Sequence, residues 1–215
     1  MTSSPQNPSH DESGPKNSSS NSSSNEMTNQ EFIQRLLSPD RAQRTDMFTI
    51  LAFSDLNNQD SVGEIGCGPG FFTIPLAKAL SNGTLYALDI EDEMLEACRQ
   101  RVAEVPLGNV EFLKCGEFDF PLEPESLNGL FLAFVIQQSP DKLRFLQSVR
   151  PLLKPRGWCT MLEWYHRETE TGPPLERRID PEDLRALAIE AGFRYLITRD
   201  LNGEQYMMTL RNDAK

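Results

Sequence analysis

Residues 64–70 read EIGCGPG, and no other stretch limits so tightly what this chain can fold into. An acidic and an apolar residue lead into Gly66, Gly68 and Gly70, with Cys67 and Pro69 between them. Glycine reaches backbone conformations closed to other residues and removes the Cβ that would obstruct a ligand. The apolar run from Val62 to Ile65 supplies a strand and Phe71 onward a helix, so the glycines make a strand-to-helix turn. In an open α/β sheet this turn, beyond the carboxyl end of the first strand, is the usual ligand contact. The helix start also offers unpaired N–H groups that favour an anion, carboxylate or phosphate.

The rest of the chain supports such a sheet. Phe32, Ile33, Leu36 and Leu37 form one helical stripe, interrupted by Pro39, and Met47, Phe48, Ile50 and Leu51 form a second. After the turn, FFTIPLAKAL predicts a helix with a proline in its early turns, TLYALD (84–89) a strand, and residues 91–105 a helix with acids at its start. NVEFLKC (109–115) and GLFLAFVI (129–136) predict the third and fourth strands, the latter apolar throughout as a strand covered on both faces is. A helix follows from Ser139, Pro140 and Asp141 through Leu153, kinked at Pro151 and stopped by 155–157, and then a fifth strand over 158–165. Asp180, Pro181 and Gly192 bound another helix, and the Asn202 and Gly203 pair marks a hairpin that adds one antiparallel strand. Alternating strands and helices mean a mainly parallel α/β sheet.

Composition divides the chain and narrows its partners. Residues 1–26 hold ten serines, four asparagines and three prolines, with Met1 the only apolar side chain, too little to offset the entropy of ordering them. They are expected to be a disordered tail, with neither the apolar core of a secretory signal nor the arginines of a transit peptide. Residues 27–215 then form one domain, with leading helices over 29–54. The run at 129–136 is too short to span a bilayer, so no membrane span is expected. A net charge of −11 argues against nucleic acid as partner. Four dispersed cysteines without a CxxC pair imply reduced thiols, a cytoplasmic location and no metal site. No feature assigns an oligomeric state.

The spacing of the glycines separates two cofactor classes. A dinucleotide fingerprint places its third glycine three positions after the second, where this chain has Phe71. Glu64 is also ill suited to a pyrophosphate and well suited to an ammonium. A molecule with an amino-acid end and a nucleoside end satisfies both, with Asp89 at the end of strand two accepting from the ribose hydroxyls. The bland alternative for Asp89 is that it caps the next helix.

In these motifs the sequence resembles the class I S-adenosylmethionine-dependent methyltransferases, from about Phe32 to the C-terminal hairpin. EIGCGPG matches the family's first motif, LYALDI its second, FPLEPESLNGLFLAFVIQQ the fourth-strand region and LLKPRGW the turn before strand five. EWYHRETETGPPLERRIDPEDL resembles a branch near the quinone-biosynthesis methyltransferases. The resemblance implies a Rossmann-like, mainly parallel seven-stranded sheet with an antiparallel C-terminal strand and helices on both faces. It implies S-adenosylmethionine as cofactor, with Glu64, Gly66, Cys67, Gly68 and Gly70 around the methionine end and Asp89 on the ribose. Ile90, Glu117 and Phe118 would flank the adenine, and Phe134 would line the methionine side; in KCGEF the acid stands one place beyond its usual position after the glycine.

A sulfonium is already an activated methyl donor, so transfer needs alignment and exclusion of water, and a base only if the acceptor must lose a proton. Polar candidates at the sheet's carboxyl edge are Gln137 and Gln138 after strand four, and Tyr165 and His166 after strand five. The expected function is methyl transfer to a small-molecule acceptor. The alternatives are a binding module that keeps the cofactor without chemistry, and a dinucleotide-dependent oxidoreductase.

Overall fold

The computed structural model describes residues 28–213; the serine-rich segment 1–26 lies outside the described residues. The chain begins with three short helices, α1 (Asn29–Leu36), α2 (Pro39–Arg44) and α3 (Met47–Phe53). Thr28 and Glu31 form a reciprocal cap at the start of α1. Pro39 does not merely interrupt the helical stripe: it sits in the first turn of α2, where its missing N–H costs nothing.

Strands and helices then alternate: β1 (Ser61–Ile65), α4 (Thr73–Ala79), β2 (Thr84–Asp89), α5 (Asp92–Ala103), β3 (Val110–Lys114), β4 (Leu127–Ala133), α6 (Lys142–Val149), β5 (Leu153–Trp164), α7 (Pro181–Glu190), β6 (Arg194–Asp200) and β7 (Gln205–Arg211). They form one sheet of seven strands in the order β3-β2-β1-β4-β5-β7-β6. All neighbours from β3 to β5 run parallel, and β7 runs antiparallel to both β5 and β6. This is the expected α/β, Rossmann-like sheet. The strand order reverses direction at β1, whose neighbours are β2 and β4, and the glycine turn leaves the sheet at that switch point.

Helices cover both faces. Leu130, Leu132, Met161, Tyr206 and Met208 pack with Phe145, Leu146 and Leu184 of α6 and α7 on one side. Val62, Leu85, Phe131, Leu162 and Met207 pack with Ile50 of α3 and Leu76 of α4 on the other. Alternation along β4 divides the two cores, since Leu130 and Leu132 belong to the first and Phe131 to the second.

Several expected boundaries move, each for a local reason. The fourth strand, expected over 129–136, ends at Ala133 because Phe134 takes a left-handed conformation with φ 61°, and a 3-10 turn over Ile136–Gln138 follows. Helix α6 stops at Val149, two residues before Pro151, rather than continuing to Leu153. Residues 155–157 do not end a helix but lie within β5, where the register against β4 jumps from Leu153 opposite Leu127 to Trp158 opposite Gly129. Gly129 makes room for this jump: a Cβ there would stand 2.0 Å from the Trp158 indole. Among the described residues no helix is long and apolar enough to cross a membrane.

Candidate active site

The glycine turn has the backbone its sequence demands. Gly66, Gly68 and Gly70 have φ values of 74°, 54° and 85°, the left-handed region that strains any residue with a Cβ. The turn is locked to β2 by the N–H groups of Gly66 and Cys67, both donating to the Leu88 carbonyl at 2.8 and 2.9 Å. Close packing adds to the backbone requirement, since a Cβ at Gly66 would meet Val135 at 2.9 Å and one at Gly70 the Cys98 sulfur at 2.8 Å. At Gly68 the surroundings are open apart from Leu36 of α1 at 3.8 Å.

Two carboxylates bracket the turn. Glu64, at the penultimate position of β1, is 2 % exposed and accepts from the Thr73 hydroxyl at 2.6 Å. Burial above all, then the nearby Cys98, pushes its carboxyl well above the usual carboxylate range, and no basic side chain forms an ion pair with it among the described residues. Asp89, the last residue of β2, accepts from the Gly68 N–H at 2.8 Å and the Glu91 N–H at 2.9 Å. Its pKa is raised by burial against the opposing pull of these backbone donors. The capping alternative is not realised, since the N-cap of α5 is Glu91 and has no side-chain cap bond; the bonds to Gly68 and Glu91 make Asp89 a brace of the turn. Each carboxylate oxygen keeps a further lone pair for a ligand.

The remaining sequence candidates distribute unevenly around this centre. Ile90 presents an apolar side chain that is 49 % exposed directly after Asp89. Cys67 faces inward, in a cluster with Ala87, Leu95 and Cys98. Glu117 is exposed beyond β3, whereas Phe118 leans on the core beneath α6, with the Arg144 guanidinium 4.3 Å from its ring centre. Phe134 is buried, its ring 6.2 Å from those of Phe72 and Trp164. Its carbonyl accepts from the side-chain amides of Gln137 and Gln138, at 3.1 and 3.2 Å, so both glutamines tie down the left-handed residue. The Tyr165 ring packs 5.0 Å from Tyr206 under the Arg167 guanidinium, and its hydroxyl faces Asp200 at the far end of the sheet. His166 is exposed one residue further on.

Helix α2 adds a cation that the sequence-derived site residues did not include. The Arg41 guanidinium lies 4.6 Å from the ring centre of Phe71 and 5.6 Å from those of Phe72 and Phe134, and donates to the Leu36 carbonyl at 2.9 Å. Desolvation lowers its pKa to about 10, opposed by the charge of Glu64, so it stays cationic at neutral pH. A cation thus rests in an aromatic cage beside the buried acid of the turn. The Phe71 and Phe72 pair following the glycines was a visible signal for the cage, and Arg41, ahead of the stripe at 47–51, for a leading helix over the site; that the one fills the other was not.

The fold and sequence have counterparts among known proteins. In a crystal structure of a SAM-dependent methyltransferase from Aquifex aeolicus, 96 % of that chain and 84 % of this one superpose with a TM-score of 0.80 at 26 % identity. The demethylmenaquinone methyltransferase of Lactococcus lactis subsp. lactis (strain IL1403) is 28 % identical over 107 residues, which are 49 % of this chain and 42 % of the relative. The 2-phytyl-1,4-naphtoquinone methyltransferase of Trichormus variabilis is 27 % identical over 110 residues, 50 % of this chain and 48 % of the relative. The chain spans about half the length of the curated relatives it matches. Residues 56–185, from the loop before the glycine turn to the middle of α7, match the family described as Methyltransferase domain, and to that family this chain belongs.

Proposed function

We propose that this protein transfers a methyl group from S-adenosylmethionine to a small, quinone-type ring acceptor. The observation that carries the reading is the pair of buried carboxylates, Glu64 and Asp89, on either side of three left-handed glycines. Their chemistry fits the cofactor. Glu64 is a buried acid with no ion pair among the described residues, which an ammonium would satisfy, Asp89 retains acceptor capacity for ribose hydroxyls, and Ile90 offers an apolar face for a base. The aromatic cage of Phe71, Phe72 and Phe134 accepts a cation, as Arg41 demonstrates. The glycine spacing and Glu64 disfavour a dinucleotide.

When bound, the cofactor supplies a methyl group on a sulfonium that needs no further activation. The chain's part is to bind, orient and exclude water. Phe134, held left-handed by two glutamine amides, fixes the wall between the ends of β4 and β5. Leu36 and Arg41 cover the turn from the solvent side. Among the polar candidates, the Gln138 amide and the Tyr165 hydroxyl are engaged within the fold, which leaves exposed His166 as our candidate for taking a proton from a hydroxyl acceptor. The names of the relatives support a ring acceptor. Four free cysteines support a cytoplasmic location, and the net charge of −11 an acceptor other than nucleic acid.

Calorimetric titration with S-adenosylmethionine and with NAD, followed by transfer of labelled methyl into a metabolite extract, tests this reading. Binding of the first alone, with label in an apolar small molecule, is the expected result; equal binding of NAD, or no labelled product, overturns it. His166→Asn is expected to preserve cofactor affinity and lower turnover about 10²-fold. Unaltered turnover in that variant would leave alignment as the whole mechanism.

A further inference from the structure

We propose that Cys67 and Cys98 are an oxidation site: a thiol pair that closes to a disulfide beneath the glycine turn and takes the turn out of its binding conformation. Cys67 lies within the turn and Cys98 on α5, and both are buried in one small cluster with Ala87, Leu95 and Val102. The Cys67 thiol donates to the Gly68 carbonyl at 3.5 Å and the Cys98 thiol to the Thr73 hydroxyl at 3.4 Å, and a Cβ at Gly70, three residues after Cys67, would stand 2.8 Å from the Cys98 sulfur. Thr73 in turn donates to Glu64, so the pair is wired to the acid that faces the ligand. By contrast Cys159 is buried in the opposite core, and Cys115 packs with that core too.

The chemistry assigns the two sulfurs different parts. The neighbouring Cys67 thiol, then Thr73 and the positive charge of Arg101, pull the Cys98 pKa below its ordinary value, while the Cys98 thiol and burial push Cys67 up. The Cys98 thiolate attacks one oxygen of hydrogen peroxide; the O–O bond breaks, a sulfenic acid forms, and the departing hydroxide takes a proton to leave as water. The Cys67 sulfur then attacks the sulfenic sulfur, losing its proton to the second departing hydroxyl, which also leaves as water. Two thiols have lost two electrons and two protons, and peroxide has become two waters.

The turn has no slack to absorb this bond. A Cβ at Gly70 would already be 2.8 Å from the Cys98 sulfur and 3.5 Å from its Cα, and Arg101 holds the Pro69 carbonyl at 2.9 Å. Drawing Cys67 toward α5 therefore displaces Gly68, whose N–H is bound to Asp89. A small oxidant would enter by local opening of the cover, where α1 buries no side chain of its own and meets Gly68 through Leu36.

Only the effect on ligand binding rests on the proposed function; the crosslink does not. The full chain is treated with hydrogen peroxide, alkylated under denaturing conditions, and its peptides weighed without reduction. The peptides carrying Cys67 and Cys98 are expected to appear joined and lighter by two hydrogens, and to separate on reduction. In parallel, affinity for S-adenosylmethionine should fall at least about tenfold and return with dithiothreitol. Cys98→Ala should form no crosslink and keep whatever affinity it has in the reduced state after peroxide. Alkylation of both cysteines after peroxide, a crosslink through Cys115 or Cys159, or a joined pair with unchanged affinity would each overturn the proposal. If the reduced protein binds no S-adenosylmethionine, the functional reading fails, and the joined peptides alone decide the thiol pair.

Discussion

Asp89 and Glu163 are both buried acids at the carboxyl ends of strands, yet their surroundings give them different work. Asp89 accepts from the backbone N–H groups of Gly68 and Glu91 and so braces the glycine turn. Replacing it with alanine is expected to weaken S-adenosylmethionine binding by about 2 kcal/mol, near thirtyfold, measured by calorimetry. Unchanged affinity would remove Asp89 from the site. Glu163 is fully buried in β5, with one oxygen accepting weakly from the Gln137 N–H at 3.4 Å and the other without a partner. Burial raises its pKa from 4.5 to about 8. The folded state therefore binds a proton that the unfolded state has released across that interval, so stability falls as pH rises through it and levels off above it. In urea unfolding, Glu163→Gln, which imitates the protonated form, should gain on the wild type by up to a few kcal/mol between about pH 5 and pH 8. A difference that does not grow with pH would mean that Glu163 is ionised in the fold at little cost.

Among the elements, the three leading helices separate into a cover and a foundation. Helices α1 and α2 bury no residue, whereas α3 places Ile50 fully in the core beside Leu76 and caps it with Ser54, whose hydroxyl donates to the Ile50 carbonyl at 2.6 Å. Deleting residues 1–44 should shift the melting temperature by no more than about 3 °C, while extending the deletion through Ser54 should lower it by about 10 °C or more through loss of Ile50 and its neighbours. Equal melting of the two truncations would show that α3 is dispensable. This division was only half legible in the sequence. Apolar spacing found the stripes at 32–37 and 47–51, but spacing alone does not say which stripe has a core to meet. The same limit explains β4 and β5. Residues 129–136 are apolar throughout, and nothing local announces that Phe134 turns left-handed; Pro155 to Gly157 carry a turn signature that the fold uses as a bulge opposite Gly129. The glycine turn was legible because its requirement is local, a backbone conformation that only glycine takes without strain. The Arg41 cage was not, because α2 reaches it from a different part of the chain.

At the scale of the whole molecule, the strand order brings Glu64 of β1, Asp89 of β2, Thr73 of α4 and Arg41 of α2 to one end of the sheet, where the proposed site would couple protonation to ligand binding. Burial, the neighbouring Cys98 and Asp89 all raise the Glu64 pKa in the ligand-free protein, and Thr73 and Arg41 only partly oppose them. An ammonium delivered beside that carboxyl favours the ionised form, so its pKa falls on binding. In the interval between the two values the free protein holds a proton that the complex does not. Binding therefore releases protons, and affinity rises with pH until the free carboxyl is itself ionised. The heat of S-adenosylmethionine binding at fixed pH should accordingly differ between phosphate and Tris, whose ionisation enthalpies differ, and the difference should vanish in Glu64→Gln. That variant should also bind more weakly, since it keeps a hydrogen-bond acceptor for the ammonium but loses the charge. Equal heats in the two buffers for the wild type would mean that Glu64 is already ionised without ligand, with Arg41 in the cage as its counter-charge.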